Sequence, residues 1–334
     1  MTDLAPGRFV SSRLPVIFTL AVMAVLAIGP LWAGATDRDY LVRTFVRVAI
    51  FGLAAMSLDF VVGYGGMVSL GHAAFLGVGA YTAGALSFHA IQGSTFLGVP
   101  GTDQVLFSWP LAIVVGAALG LGIGALSLRT KGVYFIMATL AFNQMVFFLF
   151  NALEIYGGDD GVGLFAAQRR LGPLDMGSDL TYFYVCYAVL LLGVIGYNLM
   201  IRAPFGRVIR GCHDNEGRMQ ALGFKTYRYR LAAFTLSAAV TSLAGAMAVG
   251  ESRFLSPDIA HWTESGVLLI MVIAGGLGSL TGGIVGAAAL LLFEELSIDL
   301  TQNWQFFVGL ALLVVVLVAP KGLTGAVLRG RRNV

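Results

Sequence analysis

From Leu14 to Ala33 the chain carries no Asp, Glu, Lys or Arg, and apolar stretches of this kind recur as far as Ala319. About 20 apolar residues are what a helix needs to cross the hydrocarbon core of a bilayer. A segment inside that core must pair every backbone N–H and C=O internally, which leaves helices as the structure for runs this long. Only 12% of the residues are charged, against roughly 25% in an ordinary soluble domain. The sequence therefore predicts an all-α polytopic membrane protein of about ten transmembrane helices. Their expected positions are residues 14–33, 41–59, 68–89, 108–128, 133–152, 181–201, 231–250, 265–280, 283–298 and 304–319. Residues 1–334 read as one transmembrane domain. A net charge of +3 is too small to imply a nucleic-acid partner.

Arg8 and Arg13 before the first run, and Ala33-Gly34-Ala35 after it, give the outline of a signal peptide. The run is longer than an ordinary signal core and further spans follow it, so an uncleaved first helix is expected. Ten spans place both termini on one side. If that side is the cytoplasm, it holds Arg8, Arg13, Arg129, Lys131, the seven basic residues from Arg202 to Arg230, and Lys321, Arg329, Arg331 and Arg332. These are fifteen of the 21 Lys and Arg, as the positive-inside rule requires. Glu154, Asp159, Asp160, Asp175, Asp179, Glu251, Asp258 and Glu264 fall on the other side, as a solvated outer face or as a docking surface for a soluble partner.

Residues Ser57 to His72 interrupt the apolar pattern. The run reads Ser-Leu-Asp-Phe-Val-Val-Gly-Tyr-Gly-Gly-Met-Val-Ser-Leu-Gly-His, and so predicts a broken helix near 59–68. Freed backbone groups cannot face lipid, so the break must line a cavity or pack against protein. Transport proteins place their pathways at such broken helices. Asp59, Gly63, Gly66, Ser69 and His72 are the pathway candidates here. Asp59 either lies in the pathway or touches water at an inner helix end. Ser69 and His72, three apart, share a helix face. With no orienting acid in sight they serve helix–helix hydrogen bonding or line a pathway, and catalysis is not expected. Asn143 and Gln144, in the middle of their span, must bond to another helix or to water in a cavity. Gly116, Gly120 and Gly124, and likewise Gly278, Gly282 and Gly286, repeat every four residues and predict close helix packing, possible also between subunits. Cys186 and Cys212 are too isolated for a disulfide framework. Cys212 and His213 have no further ligands beside them, so no metal site is expected.

The run 57–72 and its continuation Ala73-Ala74-Phe75-Leu76-Gly77-Val78-Gly79-Ala80-Tyr81 resemble the permease subunits of branched-chain amino acid ABC importers, the LivM-type half in particular. The resemblance extends in order over residues 40–325, through Gly157-Gly158-Asp159-Asp160-Gly161, Ala232 to Ala239, Gly275 to Gly282, Phe293-Glu294-Glu295-Leu296 and Lys321 to Gly325. The family usually has Asn where this chain has Asp59 and Gln where it has Met67. Those departures bear on substrate more than on fold.

Residues 202–230 form the longest inside loop. Asp214 or Asn215 can cap a short helix and Gly223 can end it, with Met219 and Leu222 as its apolar side. Charge alone would suit a tether held by anionic lipid. The capping pattern and the embedded Asp-Asn-Glu favour a docking helix. The stretch also resembles the coupling loop of ABC permeases, which implies roles in coupling for Arg210, Asp214, Asn215, Glu216, Met219, Leu222 and Gly223. No Gly-x-x-x-x-Gly-Lys-Ser/Thr loop is present, so the chain is not expected to be an enzyme or to bind a cofactor. The resemblance implies an importer permease for branched-chain or related small amino acids, working by alternating access. ATP and Mg would be used by two cytoplasmic ATPase subunits. A second related permease, an extracytoplasmic substrate-binding protein and the lipid bilayer would be its other partners, in the bacterial inner membrane with both termini cytoplasmic. The alternative is an ion-coupled secondary transporter of small polar solutes. It would call for several intramembrane ionisable groups.

Overall fold

The computed structural model describes residues 14–35, 39–96, 99–165, 170–172, 174–279, 281–298, 306, 309–310 and 322–329. The expected span at 304–319 lies outside the described residues, apart from 306, 309 and 310. So do Arg8, Arg13, Arg38, Arg169, Lys321, Arg331 and Arg332. The helices are α1 (Leu14–Ala35), α2 (Asp39–Asp59), α3 (His72–Gln92), α4 (Val105–Ser127), α5 (Val133–Asn151), α6 (Asp179–Arg202), α7 (Pro204–Ala221), α8 (Thr226–Ser252), α9 (Trp262–Gly275), α10 (Gly282–Ile298) and α11 (Gly322–Arg329). Two-residue antiparallel ribbons stitch the connections between them; one pairs Val162–Gly163 with Phe254–Leu255.

Seven of the described helices are long and apolar enough to cross a membrane, namely α1 to α6 and α8. This is a multi-pass helical membrane protein. The expected spans at 265–280 and 283–298 are shorter than that description. α9 has 14 residues, about 21 Å at 1.5 Å per residue, against a hydrocarbon core of about 30 Å. α10 has 17.

α2, α3 and α8 form the centre, and small residues let them meet closely. The first glycine row packs within the chain. A Cβ at Gly116 would collide with Ser242, one at Gly120 with Ala238, and one at Gly124 would sit 2.9 Å from Leu231 Cδ1. α4 thus lies directly along α8 and needs no second subunit for that contact. The second row is not a helical ladder. Gly278 sits in the α9–α10 turn at φ +71, while Gly282 and Gly286 press α10 against Gly276 and Met271.

Hydrogen bonds across the bundle set the depth at which helices begin. His72, the first residue of α3, bonds Ser237 of α8 at 3.0 Å. Ser237 is eleven residues into α8, about 16 Å from its start. The Ala73 amide donates to Ser265 Oγ at 2.8 Å, and Asn143 Nδ2, midway along α5, donates to the Ala260 carbonyl at 3.0 Å. α3 and α9 therefore both begin near the middle of the membrane. The chain reaches α9 by descending from the far end of α8 beside α3. Leu255 rests on Gly84 of α3 and Ala260 on Gly77, where side chains would block the descent.

Candidate functional site

α2 does not stop at Asp59 but widens into a π turn, Phe60–Tyr64, with Gly65 N and Gly66 N bonded to Phe60 O and Val62 O. Residues 66–71 then return as irregular chain to the start of α3. Asp59 is 1% exposed, and its Oδ1 accepts the backbone N–H of Gly278 at 2.8 Å. Gly63 faces the same spot. A Cβ there would overlap both Asp59 Oδ1 and Gly278 N, so only glycine leaves room for the bond. Met67, buried at 1% exposure, closes the bend from behind.

The far side of the bend rests on α7. The Arg210 guanidinium lies 5.0 Å above the centre of the Tyr64 ring, a cation–π distance. Gly66, at φ +64, leaves space for the His213 imidazole. A row of rings runs outward from the π turn: Phe60 to Phe205 at 6.4 Å, Phe205 to Tyr229 at 5.9 Å, Tyr229 to Phe224 at 6.2 Å.

Ser69 and His72 belong to a separate, wholly buried chain of hydroxyls. Ser237 Oγ gives its one proton to Ser57 O at 2.6 Å, so toward His72 Nε2 it accepts. The ring is then the Nε2–H tautomer, and its Nδ1 accepts from Ser69 Oγ at 3.3 Å. Ser69 Oγ in turn receives Gly71 N at 3.2 Å. Ser57 Oγ meets Thr241 Oγ1 at 2.7 Å. The network ties α2, α3 and α8 together. Asn143 and Gln144 are apart from both clusters. Asn143 is fully buried, and its Oδ1 and Gln144 Oε1 have no hydrogen-bond partner among the described residues.

In α7, Asn215 breaks helical geometry at φ −161, ψ 97. Its Oδ1 accepts the Arg218 N–H at 2.9 Å, the bond of an N-cap. Gly223, at φ +88, ends the turn, and Phe224 N bonds back to Met219 O at 3.1 Å. Residues 216–221 thus form a separate short helix behind Asn215. Glu216 holds it in place by accepting from Lys131 Nζ at 2.6 Å, Thr226 Oγ1 at 3.2 Å and Arg230 Nη1 at 3.4 Å. Partial burial would raise the Glu216 pKa, but the Lys131 bond and the Arg230 charge outweigh it and hold it below the usual range. Met219 is half-buried against Gly211, Asp214 is exposed, and Leu222 is 66% exposed. Among the described residues no group of three or more His, Cys, Asp or Glu is placed to hold a metal.

The sequence assigned no site role to Ser57, Ser237, Thr241, Gly278 or Lys131. A hydroxyl inside an apolar run is the signal for the first three, because such a group must find a partner in the bundle. Gly278 and Lys131 act through a backbone N–H and a flexible amine, which leave no pattern.

Comparison with known proteins adds the lineage. Residues 40–317 match the family model described as branched-chain amino acid transport system / permease component. The chain is 30% identical to the high-affinity branched-chain amino acid transport system permease protein LivM of Salmonella typhimurium, over 91% of this chain and 74% of that one. Against LivM of Escherichia coli it is 29% identical with the same coverage. Against LivH of Escherichia coli it is 27% identical, over 82% of this chain and 91% of that one. No solved structure gives a significant match.

Proposed function

The chain belongs to the family of permease components of branched-chain amino acid transport systems, and from that premise we propose how its parts divide the work. It is the membrane-spanning subunit of an ATP-driven importer for branched-chain or related small amino acids. A second, related permease completes the pathway. Two ATPase subunits bind at α7 on the cytoplasmic side, and a substrate-binding protein delivers from the other side. In this arrangement both termini are cytoplasmic and the membrane is the bacterial inner membrane. The sequence has no phosphate-binding loop, so ATP and Mg belong to the ATPase subunits.

One observation carries the coupling role. The short helix 216–221 is capped by Asn215, clamped by Glu216 and presents Leu222 outward. The same α7 touches the α2–α3 bend through Arg210 and His213. A push on the short helix reaches the π turn through packed rings. It then reaches the α9–α10 turn through the Asp59–Gly278 bond. That route links an ATPase docking point to two helices that begin at mid-membrane, where a discontinuous-helix transporter binds its cargo.

The test is affinity purification of the tagged chain in mild detergent, with identification of co-purifying subunits and an ATPase assay. ATPase subunits that co-purify with the intact chain and are lost on deleting 216–222 are expected. A chain that purifies alone and carries substrate into vesicles on an ion gradient without ATP would overturn the importer assignment in favour of a secondary transporter.

A further inference from the structure

The start of α9 is polar, open and deep. Ala260 and Ser265 are tied to Asn143 and Ala73 at mid-membrane. Between them Trp262 is 44% exposed, Thr263 is exposed and Glu264 is half-buried. A charge at the bilayer centre costs about 2.5–3.5 kcal/mol on insertion scales, so this face is covered by protein or water.

The Glu264 carboxylate has no hydrogen bond or ion pair among the described residues, while its backbone N–H bonds His261 O at 3.0 Å. Arg47, Glu294 and Asp258 are near enough to act on its charge, but Arg47 is engaged by Glu294 at 3.5 Å and Asp258 by Ser256 at 2.9 Å. One cation thus stands among three acids. A second, independent acceptor waits beside the same segment. Asn143 is fully buried, its amide nitrogen is spent on Ala260 O, and its Oδ1 has no donor among the described residues. The N–H groups of Trp262 and Thr263, in the first turn of α9, also have no partner among the described residues. Unfilled acceptors beside unfilled donors around one helix end match a small zwitterion.

We propose that the first turn of α9 is a substrate subsite in the pathway, where Glu264 receives the ammonium group of an α-amino acid and the Trp262 and Thr263 amides receive its carboxylate. The assignment rests on the importer function above and names the place in this subunit where the substrate is held. It also accounts for a helix that begins at mid-membrane, since free helix N-termini suit anionic groups.

The experiment uses the whole complex in proteoliposomes with loaded binding protein. E264Q is expected to assemble and hydrolyse ATP but to move at least tenfold less leucine per ATP hydrolysed, with E264D recovering part of the loss. In an E264C variant, a water-soluble, membrane-impermeant thiol reagent should label the new thiol, and leucine should slow the labelling. Uptake per ATP in E264Q equal to wild type would overturn the subsite. So would a thiol that stays unlabelled. Failure of E264Q to assemble with the second permease would overturn it as well, because Glu264 would then pair with a cation of that subunit. A wild-type complex that transports without ATP would instead remove the importer function itself.

Discussion

Gly278 gives its backbone N–H to Asp59 Oδ1 at 2.8 Å, and this bond fastens the foot of α2 to the turn between α9 and α10. A carboxylate in that place accepts from a main-chain donor, so its charge is not what the geometry uses. An amide oxygen could accept the same bond.

Asp59→Asn is therefore expected to keep the fold and transport, since Asn Oδ1 can replace the carboxylate oxygen. Asp59→Ala leaves the N–H of half-buried Gly278 unpaired, at a cost of up to about 1–3 kcal/mol. Thermal unfolding of the two variants in detergent, read beside uptake, checks this. An Asn variant that assembles normally but is inactive would mean that ionised Asp59 takes part in transport.

Gly63→Ala should be worse than its size suggests. The added methyl overlaps both ends of the Asp59–Gly278 bond, and overpacking of this kind typically costs about 1–3 kcal/mol. Gly196→Ala, where nothing lies within 4 Å, is the control. Equal melting temperatures for the two would remove the steric argument.

Much of this was legible in sequence because lipid imposes strong rules. Run length located α1 to α6 and α8, and glycines with an acid inside an apolar run located the bend. Asp-Asn-Glu followed by glycine located the short helix behind Asn215. The depth of α9 was not legible. An apolar segment at 265–280 looks the same whether it starts at the surface or at mid-membrane. The difference lies in contacts such as Gly77 with Ala260 and Ala73 with Ser265, more than 180 residues apart in sequence. In the second glycine row Gly282 and Gly286 pack closely as the spacing implies, but spacing of four makes a ladder only where the backbone is helical, and Gly278 is in a turn.

Asn215→Ala and Leu222→Asp should separate making the docking helix from using it. The first removes the cap on the Arg218 N–H, worth about 1 kcal/mol, and loosens residues 216–221. The second leaves the cap and the Glu216 clamp intact but places charge on an exposed leucine. Hydrogen exchange over 216–222 should rise in Asn215→Ala alone, while ATPase co-purification should fall most in Leu222→Asp. Full retention of the ATPase subunits by Leu222→Asp would show that this side chain is not at the docking surface.

The clamp on that helix should depend on pH in one direction. The Glu216 carboxyl lies below its ordinary value near 4.5 because the Lys131 bond and Arg230 outweigh the effect of burial. A folded-state pKa that is depressed stabilises the folded clamp at all pH above the ordinary value, and that contribution is lost as pH falls through the lower, folded value. A spin label at position 222 reports the attachment. Its motion should stay restricted from neutral pH down to about pH 4.5 and rise below it, where the carboxylate takes up its proton. In Glu216→Gln the acceptor charge is absent at every pH, so the label should be mobile throughout. Restricted motion in that variant at neutral pH would show that Asn215 and packing against Gly211 hold the helix without the ion pairs.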